Sequence, residues 1–142
     1  MRKTALVIGL LAAAAAWPCA DAAMVNYKAT LGGTAEVPPV QTAGKGTAAV
    51  NVDSATKQVT WRVEYSGLGG PATAAHIHCG AAAGANAGVA VPLGNASASP
   101  ISGSGTMTDA QLADLQAGKC YVNVHTDANK GGEIRGQVVK GQ

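Results

Sequence analysis

Three histidines are the residues of this chain best suited to chemistry, and the sequence contains no others. His76 and His78 stand in the segment 75–80, and His125 stands in a second segment, 120–126. Alternate residues of a β-strand point to one face and lie about 6.5–7 Å apart, so His76 and His78 share a face. Imidazole nitrogens bind a metal such as zinc at about 2.0–2.1 Å. Two histidines on one strand and a third on a paired strand therefore predict a metal site.

Two cysteines lie on the opposite side of the same two segments. Cys79 directly follows His78, and Cys120 is an odd number of residues from His125, so both cysteines face away from the histidines. A pair of cysteines in an exported chain is typical of a disulfide, and closing about forty residues would stabilise the fold by roughly 3–4 kcal/mol. The alternative, in which both cysteines are further metal ligands, is disfavoured because of the face on which they lie.

Polar residues near the histidines are candidates for supporting roles. Tyr121 and Asn123 lie on the predicted histidine face, where they are expected to contact the imidazoles and fix a ring tautomer. Arg135 has two interpretations: an ion pair with Glu133 or Glu36, which is favoured, or a guide that attracts an anion to the metal. Glu36 is correspondingly either an ion-pair partner, which is favoured, or a ligand.

The elements that must position these residues are short strands. The segment 58–65 alternates cleanly, with Val59, Trp61 and Val63 on one face, which is typical of a half-buried antiparallel strand. Thr108 and Gln111 form a capping-box pattern that predicts one helix of about ten residues. About seven or eight such strands predict an all-β, antiparallel Greek-key-like sandwich or barrel with one short helix. The expected strands are 26–33, 47–52, 58–65, the segment around His76, 89–93, 120–126 and 133–139.

The N-terminal residues indicate export. Arg2-Lys3 precedes an apolar run of about a dozen residues, and residues 20–22 are suited to cleavage. Residues 1–23 are therefore expected to be a secretory signal peptide and 24–142 a single domain, periplasmic or secreted. The apolar run is shorter than the about 20 residues of a membrane span, and lipidation of Cys19 is a disfavoured alternative. A formal charge of +2, without a basic cluster, argues against nucleic acid as a partner.

Several stretches of the sequence resemble the CHRD domain family, which is named from chordin and is also found in many bacterial exported proteins. They are the segments 31–40, 75–78, 112–118, 121–126 and 131–137, which together extend over nearly the whole mature chain. The resemblance implies a fold more than an activity. It also allows a metal-free extracellular interaction module.

A second resemblance is to copper-binding superoxide dismutases, which are Greek-key barrels with a His-x-His strand, an arginine near the metal and a disulfide. It implies that His76, His78 and His125 bind copper and that Arg135 attracts superoxide or another small anion. The chain has no fourth histidine and so lacks the bridging imidazole of a copper–zinc pair. An ion held by three histidines keeps an open position for water or substrate.

The sequence thus predicts an exported, copper-binding β-barrel protein, with superoxide dismutation as its activity if it is an enzyme. Three alternatives remain open: a copper carrier or storage protein, a metal-free interaction module, and a zinc site that activates water. The Irving–Williams order favours copper over zinc. No P-loop, dinucleotide fingerprint or Ser-His-Asp motif indicates another chemistry.

Overall fold

The computed structural model describes residues 23–142, so the expected signal peptide lies outside the described residues except for Ala23. This part of the chain forms nine strands and one α-helix. In chain order they are β1 (Met24–Gly32), β2 (Lys45–Asp53), β3 (Gln58–Ser66), β4 (Ala72–Cys79), β5 (Val89–Pro92), β6 (Ile101–Thr106), α1 (Asp109–Gln116), β7 (Cys120–Thr126), β8 (Ile134–Gln137) and β9 (Val139–Lys140). A single turn of 3-10 helix, Gly33–Ala35, follows β1.

All nine strands join one antiparallel sheet in the order β5-β4-β7-β8-β1-β2-β3-β6, with β9 paired to β1. The sheet curls until its edge strands β5 and β6 approach each other. A methyl group added at Gly105 of β6 would lie 3.5 Å from Val91 Cγ1 of β5. The sheet is thus nearly closed as a barrel, and the predicted antiparallel sandwich or barrel with one short helix is confirmed.

The interior of the barrel is filled by alternate residues of the long strands. In β3 the predicted apolar face is confirmed, because Val59, Trp61 and Val63 are all buried. The same alternation places valine, leucine and isoleucine side chains of the other strands inside, where burial of apolar surface stabilises the fold. These side chains include Leu31, Val50, Val52, Ile77, Val91, Val122, Val124 and Ile134.

Strand β6 was not predicted, because its sequence Ile-Ser-Gly-Ser-Gly-Thr is typical of a flexible connection. It pairs with β3, where Trp61 faces Gly103. A Cβ atom at Gly103 would lie 2.7 Å from the Trp61 ring, so only glycine leaves room for the indole. The glycine that weakens the sequence signal is therefore required by packing.

The helix α1 has the predicted capping box. Gln111 N donates to Thr108 Oγ1 at 3.2 Å, and Thr108 N donates to Gln111 Oε1 at 2.9 Å. The helix buries Leu115 against the core and is followed by Gly118 in the left-handed region, with a φ of 72°. Among residues 23–142, no helix has the length and apolar character needed to cross a membrane.

The antiparallel pairing of β4 with β7 positions the candidate site. His76 lies opposite Asn123, and Cys79 lies opposite Cys120. The two cysteines form a disulfide with an S–S distance of 2.04 Å. The predicted bond is thus confirmed, and the alternative of cysteine metal ligands is wrong because both sulfur atoms are used in the disulfide.

Candidate metal centre

The candidate site lies on the outer face of β4 and β7. Ile77 and Val124 point into the core, so His78 and His125, their neighbours in the chain, point outward. The outer face is nevertheless covered by the loop that connects β4 to β5 and by the turn after β7. As a result His78 and His125 are each only 8% exposed, while His76 is half-buried.

The three imidazoles converge, as the predicted strand pairing required. His76 Nδ1 lies 3.0 Å from His125 Nε2, and one nitrogen from each of the three rings lies within 4.8 Å of the others. Nitrogens bound to one ion at about 2.0–2.1 Å stand about 2.9 Å apart at right angles and at most about 4.2 Å apart when opposite. The short separation already fits one ion. The widest separation, 4.8 Å, exceeds the limit of about 4.2 Å for opposite ligands by about 0.6 Å. Binding therefore needs a closure of at least about 0.6 Å, which side-chain torsions can supply.

Backbone carbonyls fix the tautomers of two of the rings. His78 Nδ1 lies 2.9 Å from the oxygen of Ala87, and His125 Nδ1 lies 2.9 Å from the oxygen of Lys130. A carbonyl oxygen only accepts, so each Nδ1 carries the hydrogen, and in a neutral ring Nε2 then has none. Both rings therefore aim a lone pair into the cluster, which is the arrangement of metal-ligating histidines.

The surroundings of the cluster favour the neutral rings. Burial is the main cause that lowers the pKa of His76, and the nearby His125 and His78 lower it further. Burial also lowers the pKa of His125, and His78 adds to this effect, although the hydrogen bond to Lys130 opposes it. Because a metal binds only unprotonated imidazole nitrogen, these shifts favour the form that can act as a ligand.

Tyr121 holds the plane of one imidazole. Its ring stacks on His78 with 4.7 Å between centroids and 6° between planes. Its hydroxyl accepts from Ala87 N at 3.2 Å and donates to Ala87 O at 3.3 Å. The predicted contact of Tyr121 with a histidine is thus found, and the same side chain ties the covering loop to the ring.

Arg135 on β8 is almost completely buried, with 2% exposure. Its guanidinium carbon lies 3.4 Å from the Tyr121 ring centroid, and its terminal nitrogens donate to Asn86 Oδ1 at 2.9 Å and Ala85 O at 2.6 Å. The two ion pairs found among residues 23–142 do not include Arg135, so the favoured ion pair with Glu133 or Glu36 is wrong. Its role as an anion guide stays a prediction.

Asn123 lies between the two buried histidines. Its Oδ1 is 2.9 Å from His125 Nε2 and 3.1 Å from His78 Nε2. Its Nδ2 is 3.4 Å from the oxygen of Gly131. The expected contact of Asn123 with the imidazoles is therefore found, and it involves the nitrogens that carry no hydrogen.

Comparison with known families places this site in a defined group of proteins. A profile of the CHRD domain matches residues 27–138. The chain belongs to the CHRD domain family. The matched range includes the three histidines, Asn123 and both cysteines. No curated protein and no solved structure gives a match.

Glu36 is the residue of the CHRD domain whose position the sequence predicted least well. It is 5% exposed, and its Oε1 has no hydrogen-bond partner. Burial raises its pKa to about 7, although the charge of Arg135 and hydrogen bonds from Val37 and Asn123 act to lower it. Glu36 is thus neither an ion-pair partner nor a member of the three-residue ligand group, but a neighbour of the Asn123 amide.

The sequence also missed the groups that fix the rings from outside. The carbonyl oxygens of Ala87 and Lys130 hold His78 and His125, and Asn86 bonds to Arg135 while its Nδ2 donates to a backbone oxygen at residue 37. Every residue has a backbone carbonyl, so no residue type signals such a contact. The covering loop could be recognised only as small and glycine-containing.

Proposed function

We propose that this CHRD domain is an exported protein that holds one copper ion through His76, His78 and His125. The observation that carries the proposal is the approach of three imidazole nitrogens to within 4.8 Å of one another. Two of them are kept free of hydrogen by bonds from the other ring nitrogen to backbone carbonyls. A purely structural polar cluster would pair donors with acceptors, whereas here the Nε2 atoms of His78 and His125 both face the acceptor Asn123 Oδ1.

The chemistry of the ligands supports copper as the ion. Neutral imidazole suits both copper and zinc, and the Irving–Williams order places Cu(II) above Zn(II) at such a site. The Cys79–Cys120 disulfide leaves no thiolate there that would favour another ion. A disulfide is also typical of the periplasm or the extracellular space, which supports export together with the leader-like residues 1–23.

Superoxide dismutation is a second candidate function, favoured by the partial exposure of His76. Three histidines leave a coordination position open, and the half-buried His76 gives solvent a route to it. Copper would supply one-electron redox chemistry. The buried Arg135 would act on the approaching anion, although its terminal nitrogens bond to the covering loop. Tight copper binding without turnover in a superoxide assay would instead assign a carrier or storage role.

Copper titration of the untagged mature chain tests the proposed site. We expect one copper ion per chain, with nitrogen couplings from three imidazoles in the electron paramagnetic resonance spectrum of Cu(II). His125→Ala should weaken copper binding by about 100-fold or more, since even changes outside the ligand shell typically cost 10–100-fold. Asn51→Ala, on the distant strand β2, is the control and should bind like the wild type.

The titration also separates the remaining alternatives. Equal and negligible uptake of copper and zinc by the wild type and His125→Ala would contradict the proposal and leave a metal-free interaction module. Tighter binding of zinc than copper in a direct competition would assign the zinc site that activates water.

A further inference from the structure

We propose that Asn123 is a fourth ligand of the site, through Oδ1, and that Glu36 is the positioning residue that keeps the amide turned toward the ion. The inference rests on the proposed function, since it adds one oxygen to three imidazole nitrogens. The additional oxygen ligand also indicates that the bound copper is divalent, because an amide oxygen is a hard donor that favours Cu(II) over Cu(I).

Around Asn123 Oδ1, hydrogen-bond acceptors face one another without a donor. Asn123 Oδ1 lies 2.9 Å from His125 Nε2 and 3.1 Å from His78 Nε2. Neither nitrogen carries a hydrogen, because the other nitrogen of each ring donates to a carbonyl. An amide oxygen is also only an acceptor, so Asn123 Oδ1 faces two ring nitrogens with no hydrogen to share with either. A cation among them turns this repulsion into coordination.

The distances agree with ligands of a single ion. Donor atoms at about 2.0–2.1 Å from a metal stand about 2.9–3.4 Å apart when they are neighbours in its coordination shell. The separations of Asn123 Oδ1 from the two Nε2 atoms, and of His76 Nδ1 from His125 Nε2, range from 2.9 to 3.1 Å. Four potential ligand atoms therefore form a connected chain with the spacing of a coordination shell.

The surroundings of Asn123 favour one orientation of its amide. If the amide were reversed, Nδ2 could donate to the imidazoles, but Oδ1 would then face the oxygen of Gly131, now 3.4 Å from Nδ2. It would also face the Glu36 carboxyl group, because Glu36 Oε1 and Asn123 Nδ2 both lie against Gly132. The Gly131 oxygen on the far side only accepts and thus requires the amide nitrogen, which leaves the oxygen for the metal.

Glu36 is held beside the Asn123 amide by a close approach of both side chains to Gly132. Gly132 has a φ of 127°, and a Cβ atom there would collide with Glu36 Oε1 and Asn123 Nδ2. The chain thus uses a glycine to let a buried carboxyl group approach the amide. A buried oxygen without a hydrogen-bond partner, as Glu36 Oε1 is, is costly to keep, so its retention indicates a use.

The affinities for the two oxidation states of copper test the fourth ligand. Asn123→Ala should lower the affinity for Cu(II) by about 10–100-fold and the affinity for Cu(I) much less, so their ratio falls. Couplings to three nitrogens should persist in the Cu(II) spectrum. Asn123→Asp keeps the oxygen and adds a negative charge, so its affinity for Cu(II) should equal or exceed that of the wild type.

Glu36→Gln tests the positioning role. The new amide replaces one of the two acceptor oxygens of Glu36 with a donor and so weakens its hold on Asn123. The ratio of Cu(II) to Cu(I) affinity should therefore fall, though less than in Asn123→Ala. Rescue by Glu36→Asp, which keeps a carboxyl group, should be partial. Glu64→Gln makes the same chemical change at an exposed residue of β3 and should leave the ratio unchanged.

Distinct outcomes overturn the inference and the proposed function. Equal losses for Cu(I) and Cu(II) in Asn123→Ala, or an unchanged Cu(II) spectrum and affinity, would overturn the fourth ligand while leaving the three-histidine site intact. If Asn123→Ala does not fold, weaker Cu(II) binding by Asn123→Asp would overturn it instead. Failure of the proposed function has another signature, because wild type and His125→Ala would then bind copper equally weakly.

Discussion

Glu133 and Glu36 are two buried carboxyl groups beside β7 that differ in the donors around them. Glu133 is fully buried and accepts hydrogen bonds from Thr42 Oγ1 at 2.6 Å, Thr126 Oγ1 at 2.7 Å and Gly69 N at 2.8 Å. Glu36 is nearly as buried, but its Oε1 has no partner. The two residues therefore show how the same chemical group behaves with and without a full set of donors.

The difference appears in their pKa values. Burial acts to raise the pKa of Glu133, but hydrogen bonds from Thr42, Thr126, Gly69 and Asn129 outweigh it and hold the pKa below its usual value. For Glu36, burial outweighs the opposing charges and hydrogen bonds and raises the pKa to about 7. The Glu133 carboxylate thus has a full set of hydrogen-bond donors, whereas the Glu36 carboxyl group does not.

The contrast distinguishes a carboxyl group that stabilises the fold from one that is proposed to act at the metal site. Glu133 fastens the segments of Thr42 and Gly69 to the end of β7, so it stabilises the barrel. Glu36 lies beside the amide of Asn123, which faces the histidines, and is the residue proposed to position that amide. A buried acid with complete partners is explained by folding, whereas one with an incomplete set needs a second explanation.

The largest expected effect on stability comes from substitution of Glu133, the carboxyl group with a full set of hydrogen-bond donors. Glu133→Gln removes the charge that three donors address and should lower the free energy of unfolding of the metal-free protein by about 2–3 kcal/mol at pH 7. Glu36→Gln should change it little or raise it, because a neutral amide is less costly to bury than a carboxylate without full partners. Urea unfolding measures both. Equal losses in the two variants would show that the two carboxyl groups contribute to stability in the same way.

The next effect concerns the glycine that lets Glu36 approach Asn123. Gly132→Ala places a Cβ against Glu36 Oε1 and Asn123 Nδ2 at a φ of 127°. It should cost about 1–2 kcal/mol of unfolding free energy and also weaken copper binding. Gly131→Ala is the matched control, since a Cβ there would meet no atom within 4 Å. A Gly132→Ala variant with full copper affinity would show that the Glu36–Asn123 contact does not serve the site.

The sequence predicted the histidines and cysteines of the site better than the position of Glu36. The convergence of the histidines and the pairing of Cys79 with Cys120 followed from the alternation of side chains along β4 and β7, which is a local rule. The position of Glu36 under Asn123 did not follow, because the segment after β1 meets β7 only through the fold. Likewise β6 was missed because its glycine is selected by the Trp61 ring, a tertiary contact.

The smallest expected effect is a pair of opposite pH dependences in the metal-free protein. The pKa of Glu36 is raised from 4.5 to about 7, so its contribution to stability is full below pH 4.5 and is lost as pH rises through about 7. The pKa of Glu133 is lowered, so its contribution is present above pH 4.5 and is lost as pH falls through its folded pKa.

Unfolding free energies measured from pH 4 to pH 8 should reveal both slopes as differences between the wild type and each variant. Taking differences cancels the histidines, whose own titration is common to all three proteins. Stability of the wild type relative to Glu36→Gln should fall as pH rises toward 7, because the folded state then gives up a proton that burial had retained. Stability relative to Glu133→Gln should fall at the acidic end. Slopes of the same sign would mean that the two carboxyl groups have similar surroundings in solution, and Glu36 would then need no role at the metal site.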